Sequence, residues 1–114
     1  MKKFLLKNMY LIILVVGLVM IFINRPAIVC GVSMYPTLKN IQFITFNTLQ
    51  DYKVGDIVVV DSSSFLHEKY IVKRIMDIND EGVFLQGDNT EFSYDSRNFG
   101  YIPKDYILGV VHTI

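Results

Sequence analysis

The chain has 114 residues with one cysteine, two histidines and no tryptophan, and its 11 basic and 11 acidic side chains give a formal net charge of zero. That length allows one folded domain at most, and a hydrophobic fraction of 52% excludes a disordered chain. The lack of a basic excess argues against a nucleic-acid partner, one cysteine excludes a disulfide framework, and two histidines leave a zinc site incomplete, so we expect no metal and no cofactor.

Charge and hydrophobicity are both divided unevenly along the chain. Residues 1–25 carry four basic side chains and no acid, whereas residues 26–114 carry seven basic and eleven acidic ones. The stretch 4–23 is apolar apart from Lys7 and Asn8, and a membrane-spanning helix needs about 20 such residues. Lys7 can extend its ammonium group to the lipid headgroups. The first 25 residues are therefore predicted to form a cytoplasmic tip and a transmembrane anchor helix.

A cleaved signal peptide is the alternative interpretation of this segment. Asn24, Arg25 and Pro26 follow the apolar run, where a cleavage site would need small residues, so we favour an uncleaved anchor. Three lysines precede the run, which places the N-terminus in the cytoplasm. The sequence thus predicts a single-pass protein of the cell membrane, with residues 26–114 forming an extracytoplasmic domain.

Strand-like patterns dominate the rest of the chain. Runs of β-branched and aromatic residues predict strands at 41–47, 56–61, 69–78, 83–86 and 107–114. Residues 79–82 predict the turn of a hairpin. No helical periodicity longer than two turns follows residue 25. The predicted fold class is mostly β: a compact antiparallel β-sheet or barrel domain with one N-terminal transmembrane α-helix.

Ser33 lies in a loop that two special residues punctuate. Gly31 frees the backbone before it, and Pro36 fixes the backbone after it. Such a loop can present one hydroxyl, although a serine in an ordinary turn is the simpler interpretation. A nucleophilic serine needs a base within hydrogen-bond reach. His67 and His112 are candidates, and neither has a distinctive neighbourhood.

Lys73 is a stronger candidate for the base. In an extended strand it shares one face with Ile71 and Ile75, while Arg74 lies on the other face. An inward-facing Lys73 would be desolvated, which lowers the pKa of its ammonium group toward the range of a general base. The pattern alone favours the alternative, a lysine on an edge strand that faces solvent.

A third cluster of polar residues precedes the last predicted strand. It follows Gly87 and combines acids, an amide, serines and an arginine: Asp88, Asn89, Ser93, Asp95, Ser96 and Arg97. A polar surface turn with an Asp–Arg pair is one interpretation. The other is a set of supporting groups that orient a catalytic side chain.

Together these segments resemble the type I signal peptidases, in the order that the family has them. The matching segments are residues 33–38, 55–58, 70–75, 87–97 and 100–103. They follow the predicted anchor, and the resemblance extends over residues 4–111. It implies a membrane-bound serine endopeptidase that removes signal peptides from exported preproteins. Its implied partners are preprotein signal peptides and a lipid bilayer, with no nucleic acid.

The resemblance also implies roles for single residues. Ser33 would be the nucleophile and neutral Lys73 the base of a Ser–Lys dyad, with Ser93 orienting Lys73. The backbone N–H of Ser33 would donate to the oxyanion. Two ion pairs would support the site: Asp88 with Arg74, and Asp95 with Arg97. Five residues would surround the oxyanion and the substrate: Ser33, Gly31, Met34, Pro36 and Gly87.

The sequence departs from the family pattern in several places. The Gly-Leu-Pro-Gly-Asp that commonly follows the lysine segment is absent. Only 13 residues separate Lys73 from Gly87, where larger members insert a second subdomain, which predicts a minimal catalytic core. Gly31 stands where some members have a serine that donates to the oxyanion, so the second oxyanion donor is open. Lysine rather than histidine as the base resembles the bacterial enzymes.

Other functions remain open at this point. The peptidase could serve one specialised secreted substrate, or the chain could be a non-catalytic, membrane-tethered β module. The module would be favoured if Ser33 or Lys73 were exposed and the two side chains were too far apart to form a hydrogen bond. A self-cleaving repressor-type protease shares the dyad but has no anchor. A penicillin-recognising enzyme needs Ser-x-x-Lys, and position 36 is proline. Cys30 could be a thiol nucleophile, but we interpret it as a buried small hydrophobe.

Overall fold

The computed structural model describes residues 2–113, so Ile114, at the end of the last predicted strand, lies outside the described residues. The chain begins with α1 (Lys2–Ile23). Its segment Leu6–Ile23 has a mean hydropathy of 2.4, and none of it is buried. Among the described helices it is the one long and apolar enough to cross a membrane, as the sequence predicts.

The rest of the chain forms one six-stranded antiparallel sheet with the order β1-β2-β6-β3-β4-β5. Its strands are β1 (Asn24–Val29), β2 (Gln42–Asn47), β3 (Ile57–Asp61), β4 (Tyr70–Asn79), β5 (Gly82–Gln86) and β6 (Ile107–Thr113). Between β5 and β6 lie α2 (Ser96–Phe99) and two 3₁₀ turns (Thr90–Phe92 and Lys104–Tyr106). The predicted mostly β, antiparallel fold is confirmed, and β2 to β6 correspond to the five predicted strands.

The sequence does not predict β1. Arg25 and Pro26 interrupt its apolar pattern, and proline cannot donate a hydrogen bond to a β-ladder. The structure places β1 at the edge of the sheet, paired with β2 alone. An edge strand tolerates proline because the N–H that proline lacks can be on the side of the strand that has no neighbouring strand.

The helix continues into the sheet without a linker, since β1 begins at the residue after α1. The carbonyl of Ile23 accepts hydrogen bonds from Thr48 N–H at 2.8 Å and from Thr48 Oγ1 at 3.2 Å. Arg25 also lies over the Phe22 ring, 5.0 Å from its centroid. The end of α1 is therefore held by the residue that follows β2.

β4 lies inside the sheet, because β3 and β5 pair with it on its two sides. Its alternation buries Ile71, Lys73 and Ile75, which are 6%, 5% and 0% exposed. The interpretation that the pattern alone favoured, an edge-strand lysine facing solvent, is therefore wrong. Lys73 instead shares the core-facing side of β4 with the two isoleucines, which belong to the main buried cluster.

Two clusters of buried side chains form the core. The larger one joins β3, β4, β5 and β6 and contains Val58, Val60, Ile71, Ile75, Val83, Leu85, Ile102 and Val110. The smaller one contains Val29, Met34, Leu38 and Ile44. Two of its members, Met34 and Leu38, belong to the loop between β1 and β2. That loop is therefore packed as part of the core.

Gly82 provides a test of how β5 is held. It has φ 129°, and a Cβ there would overlap the carbonyl oxygen of Ile102, which accepts a hydrogen bond from Val83 at 2.9 Å. Gly55 has φ 98°, but a Cβ there would meet nothing within 4 Å. Alanine at either position takes a backbone conformation that costs about 1–3 kcal/mol. We expect Gly82→Ala to lower the free energy of unfolding more than Gly55→Ala does, in denaturant titrations of the full chain in detergent. Equal losses would contradict the contact with Ile102.

Candidate active site

Ser33 lies on the packed loop between β1 and β2. Gly31 opens this loop at φ 110°, a conformation that favours glycine, and its N–H donates to Asn40 Oδ1 at 2.9 Å. Met34 and Leu38 are 1% and 0% exposed and fix the loop to the core. Ser33 itself is half-buried. The fold thus holds this serine on a loop anchored by buried side chains.

The same loop is bound to the segment that follows β5. The N–H of Asn89 donates to the Ser33 carbonyl at 2.8 Å, and Asn89 Nδ2 donates to the Val32 carbonyl at 3.0 Å. Thr37 Oγ1 donates to Asp88 Oδ2 at 2.5 Å. These bonds attach the backbone around Ser33 to the polar cluster that the sequence places far away along the chain.

Lys73 enters the site from β4. Its Nζ donates a hydrogen bond to Ser93 Oγ at 3.1 Å. Burial lowers the pKa of the Lys73 ammonium group, the carboxylates of Asp95 and Glu68 oppose this shift, and Arg97 adds to it. Because burial is the largest cause, the pKa lies below its ordinary value. This favours the neutral amine, the form that a general base requires.

Asp95 fixes the partner of Lys73. It accepts a hydrogen bond from Ser93 Oγ at 2.7 Å, which leaves the lone pairs of that oxygen to accept from Lys73. Asp95 also accepts from Gly87 N–H at 2.9 Å, Arg97 N–H at 3.1 Å and Arg97 Nε at 2.9 Å. Burial raises the pKa of Asp95, but these bonds outweigh it and hold the pKa at about 2. Asp95 is therefore an ionised and oriented carboxylate.

Arg74 binds the same region from the opposite face of β4. Its Nε and Nη2 donate to the two oxygens of Asp88 at 2.8 and 2.7 Å, and Nη1 donates to the Gly55 carbonyl at 2.7 Å. The hydrogen bond from Arg74 is the main reason that the pKa of Asp88 lies below its usual range. Both ion pairs named from the resemblance, this one and Asp95 with Arg97, are formed in the structure.

Two clefts, of about 870 and 660 Å³, meet at Ser33 and Lys73. Cys30 and Glu68 line both clefts as well. The expected burial of Cys30 is wrong, because its side chain is exposed. Cys30 follows Val29, the one buried residue of β1, and so stands where the chain leaves the core.

The two residues of the predicted dyad are brought together but not bonded. Lys73 is buried and Ser33 is half-buried, and both face the same clefts. Across the described residues, no hydrogen bond joins their side chains, and the bond of Lys73 goes to Ser93. Catalytic hydrogen bonds are often long before a substrate binds and tighten in its complex.

The family model for "Signal peptidase, peptidase S26" matches residues 2–79 and 76–114. The chain belongs to this signal peptidase family. Signal peptidase I P of Bacillus subtilis subsp. natto is 32% identical over 104 residues, covering 88% of this chain and 55% of that protein. The chain thus spans about half the length of this curated relative. The resemblance found in the sequence is confirmed at the level of the family.

The other residues predicted for the site lie in different parts of the structure. Gly31 lines the larger cleft and Met34 the smaller one. Pro36 is exposed and outside the lining of both clefts. Of the two histidines, His67 lines the larger cleft, whereas His112 lies outside both linings and forms a hydrogen bond with Gln50. Within the described residues, no group of three or more potential ligands could hold a metal ion.

Gly87 permits a close approach between two parts of the site. A Cβ at this position would overlap Ser93 Oγ and lie 2.6 Å from the Ser33 carbonyl oxygen. Two further contributors were missed by the sequence analysis: Thr37, which binds Asp88, and Glu68, at the junction of the clefts. The sequence contains a signal for Glu68, because an acidic residue directly before the strand of the candidate base is expected to lie near that base.

Asp95 links the stability of the fold to pH. Its pKa is about 2 in the fold against an ordinary value of 3.8, so the unfolded chain binds more protons between these values. The stabilisation is therefore present above about pH 4 and is lost as the pH falls through about 2. It amounts to about 2 kcal/mol at 1.36 kcal/mol per pKa unit. Between about pH 5 and 2, we expect the free energy of unfolding to fall by about 2 kcal/mol more in the wild type than in Asp95→Asn. The same fall in both proteins, measured by denaturant titration, would rule out this role.

Proposed function

We propose that this protein is a membrane-anchored serine endopeptidase that removes signal peptides from exported preproteins with a Ser33–Lys73 dyad. One observation carries the proposal. Lys73 is a desolvated lysine, oriented by a serine hydroxyl, at the junction of two clefts that Ser33 also lines. A lysine needs such an environment to act as a base near neutral pH. Membership of the signal peptidase family supports the substrate class.

The dyad would act in two steps. Neutral Lys73 takes the proton of the Ser33 hydroxyl, and Ser33 Oγ attacks the scissile carbonyl carbon. The backbone N–H of Ser33 donates to the oxyanion that forms. The intermediate then expels the new amino terminus of the mature protein, which receives the proton from Lys73. Lys73 then takes a proton from water, which attacks the acyl-enzyme. The bond to Ser33 Oγ breaks, Lys73 returns the proton to that oxygen, and the signal peptide leaves as a carboxylic acid.

Ser93 and Asp95 would keep Lys73 ready for this chemistry. The Ser93 hydroxyl gives its hydrogen to Asp95, so it can only accept from Lys73. A neutral amine bonded in this way has a lone pair left for the hydrogen of Ser33. Asp95 raises the pKa of Lys73, which burial lowers. Ser93 lies between the Asp95 carboxylate and the Lys73 amine, and it orients the amine without a direct contact between the two.

The apolar helix supports a place in the membrane for this activity. We propose that the chain up to Ile23 forms the cytoplasmic tip and anchor and that the rest forms an extracytoplasmic catalytic domain. The boundary lies at Ile23 rather than after residue 25, because Asn24 and Arg25 pair with β2 as part of β1. The basic residues before the apolar run favour this topology. A preprotein reaches the enzyme with its own apolar segment in the same bilayer. Anchoring then reduces the search for the substrate to two dimensions.

The first test is the loss of activity in dyad variants. We expect Ser33→Ala and Lys73→Ala to abolish cleavage of a signal-peptide substrate and to keep the fold. Lys73→Arg should also fail, because arginine cannot lose its proton at the working pH. The measurement is cleavage of a panel of preproteins with mapped cut sites, compared with circular dichroism of each variant. The panel also tells a general peptidase from one dedicated to a single substrate.

Contrary outcomes of this test are specific. Near-wild-type turnover in Lys73→Ala would exclude the dyad. Activity retained in Lys73→Arg would make the residue a simple cation. No Ser33-dependent cleavage of any preprotein would favour the non-catalytic membrane-tethered module.

The second test concerns the packing behind the dyad. A Cβ at Gly87 would collide with Ser93 Oγ, the group that orients Lys73. A displacement of about 1 Å near reacting atoms can cost about 10²-fold in rate. We expect Gly87→Ala to lower kcat/KM by about that factor. Gly17→Ala is the control, since a Cβ there meets nothing within 4 Å and its rate should stay unchanged. Full activity in Gly87→Ala would show that Ser93 does not position the base.

A further inference from the structure

The two clefts that meet at the dyad have different walls. The smaller cleft, which we call the β1 cleft, runs along β1 from Arg25, just beyond the end of α1, and has apolar lining such as Phe46. The larger cleft, which we call the loop cleft, passes the loop between β3 and β4. Its lining includes Ser63, His67 and Glu68. A chain that crosses the site would therefore meet a mainly apolar wall in the β1 cleft. In the loop cleft it would meet polar side chains mixed with aromatic ones such as Phe92 and Tyr94.

The direction of the substrate follows from the proposed function, on which this inference rests. A preprotein that crosses the site occupies both clefts, with the scissile bond at their junction. Its apolar segment lies in the bilayer beside α1, so the residues before the cut arrive from the end of α1. They enter the β1 cleft, which begins there. The residues after the cut then lie in the loop cleft.

Glu68 is the exposed charge of the loop cleft. The other ionisable groups in that lining are Cys30, His67, Lys73 and Tyr94, and Lys73 is buried. Throughout the described part of the chain, no salt bridge engages the Glu68 carboxylate. Its backbone is fixed, because Ser62, which is 0% exposed, donates its hydroxyl to the Glu68 carbonyl at 2.5 Å. Glu68 thus offers an exposed carboxylate, on a fixed stretch of backbone, to whatever enters the cleft.

The β1 cleft has the opposite charge balance. Arg25 and Lys69 line it and outnumber Glu68, which stands at the junction of both clefts. Glu68 also raises the pKa of Lys73 against the effect of burial, so its field reaches the place where the dyad acts. A substrate side chain close to the scissile bond would therefore experience the charge of Glu68 strongly.

We propose that Glu68 is a specificity-determining residue, which selects a lysine or arginine within the first three residues after the cut. A basic side chain there would pair with the Glu68 carboxylate, and an acidic one would be repelled by it. An exposed ion pair of this kind raises the affinity for the basic substrate by a few fold. Repulsion lowers the affinity for the acidic substrate by a similar factor. Together they predict about a tenfold preference for a basic over an acidic substrate. The preference should weaken in about 1 M salt, which screens exposed charges.

The test compares substrates that differ at one position. Peptides with one mapped cut site carry lysine, alanine or glutamate at each of the first three positions after the cut in turn. The full chain in detergent cleaves them as the wild type, Glu68→Gln, Glu68→Lys and the matched control Glu81→Gln, which removes an exposed acid in the turn between β4 and β5. We expect a lysine-to-glutamate ratio of kcat/KM of about ten in the wild type and in Glu81→Gln. The ratio should be near one in Glu68→Gln and inverted in Glu68→Lys.

The outcomes separate this proposal from the proposed function. Cleavage of the alanine peptides with no preference among charges, or a preference that survives in Glu68→Gln, would overturn the role of Glu68 and leave the peptidase intact. Absence of cleavage would overturn the peptidase. In that case the Ser33→Ala protein and fluorescent versions of the same peptides measure binding, and equal affinity for lysine and glutamate peptides would overturn the role of Glu68 as well.

Discussion

The buried carboxylate of Asp95 is the constraint on which the site depends. A charge with 0% exposure is tolerated only when hydrogen bonds replace the lost water. Its partners are Gly87, just after β5, together with Ser93 and, in α2, Arg97. Asp95 also caps α2. One ionised group thereby fixes the segment between β5 and β6, and through Ser93 it fixes the position of Lys73.

Much of the fold follows from local pattern, and the exceptions have physical causes. Strands β2 to β6 have runs of β-branched and aromatic residues, so they are visible in the sequence. β1 is not visible in the sequence, because Arg25 and Pro26 interrupt its apolar pattern and an edge strand tolerates such residues. The alternation of β4 places Lys73 with Ile71 and Ile75. β4 is an interior strand because β3 and β5 pair on its two sides, and its Lys73 face is the buried one because that face packs against the core. The local pattern contains neither piece of information.

The site shows the same division between local and long-range information. Gly31 and Ser33 form one short motif, whose position beside the core is set by the buried side chains of Met34 and Leu38. The bond from Lys73 to Ser93 joins groups 20 residues apart, and only the resemblance to a family named that pair. The exposure of Cys30 could not be predicted, because it depends on where the chain leaves the sheet. The place of Glu68 depends likewise on how two clefts meet.

The direct passage from α1 into β1 has a geometric consequence. β1 has six residues, and a strand rises about 3.3 Å per residue, so the start of the Ser33 loop is at most about 20 Å from the end of the helix. No flexible linker can lengthen this span, because the Ile23 carbonyl is bonded to Thr48. If α1 crosses a bilayer as proposed, β1 fixes the largest distance between the lipid surface and the Ser33 loop. In the proposed function, the length of this one strand then limits how far above the lipid the substrate is cut.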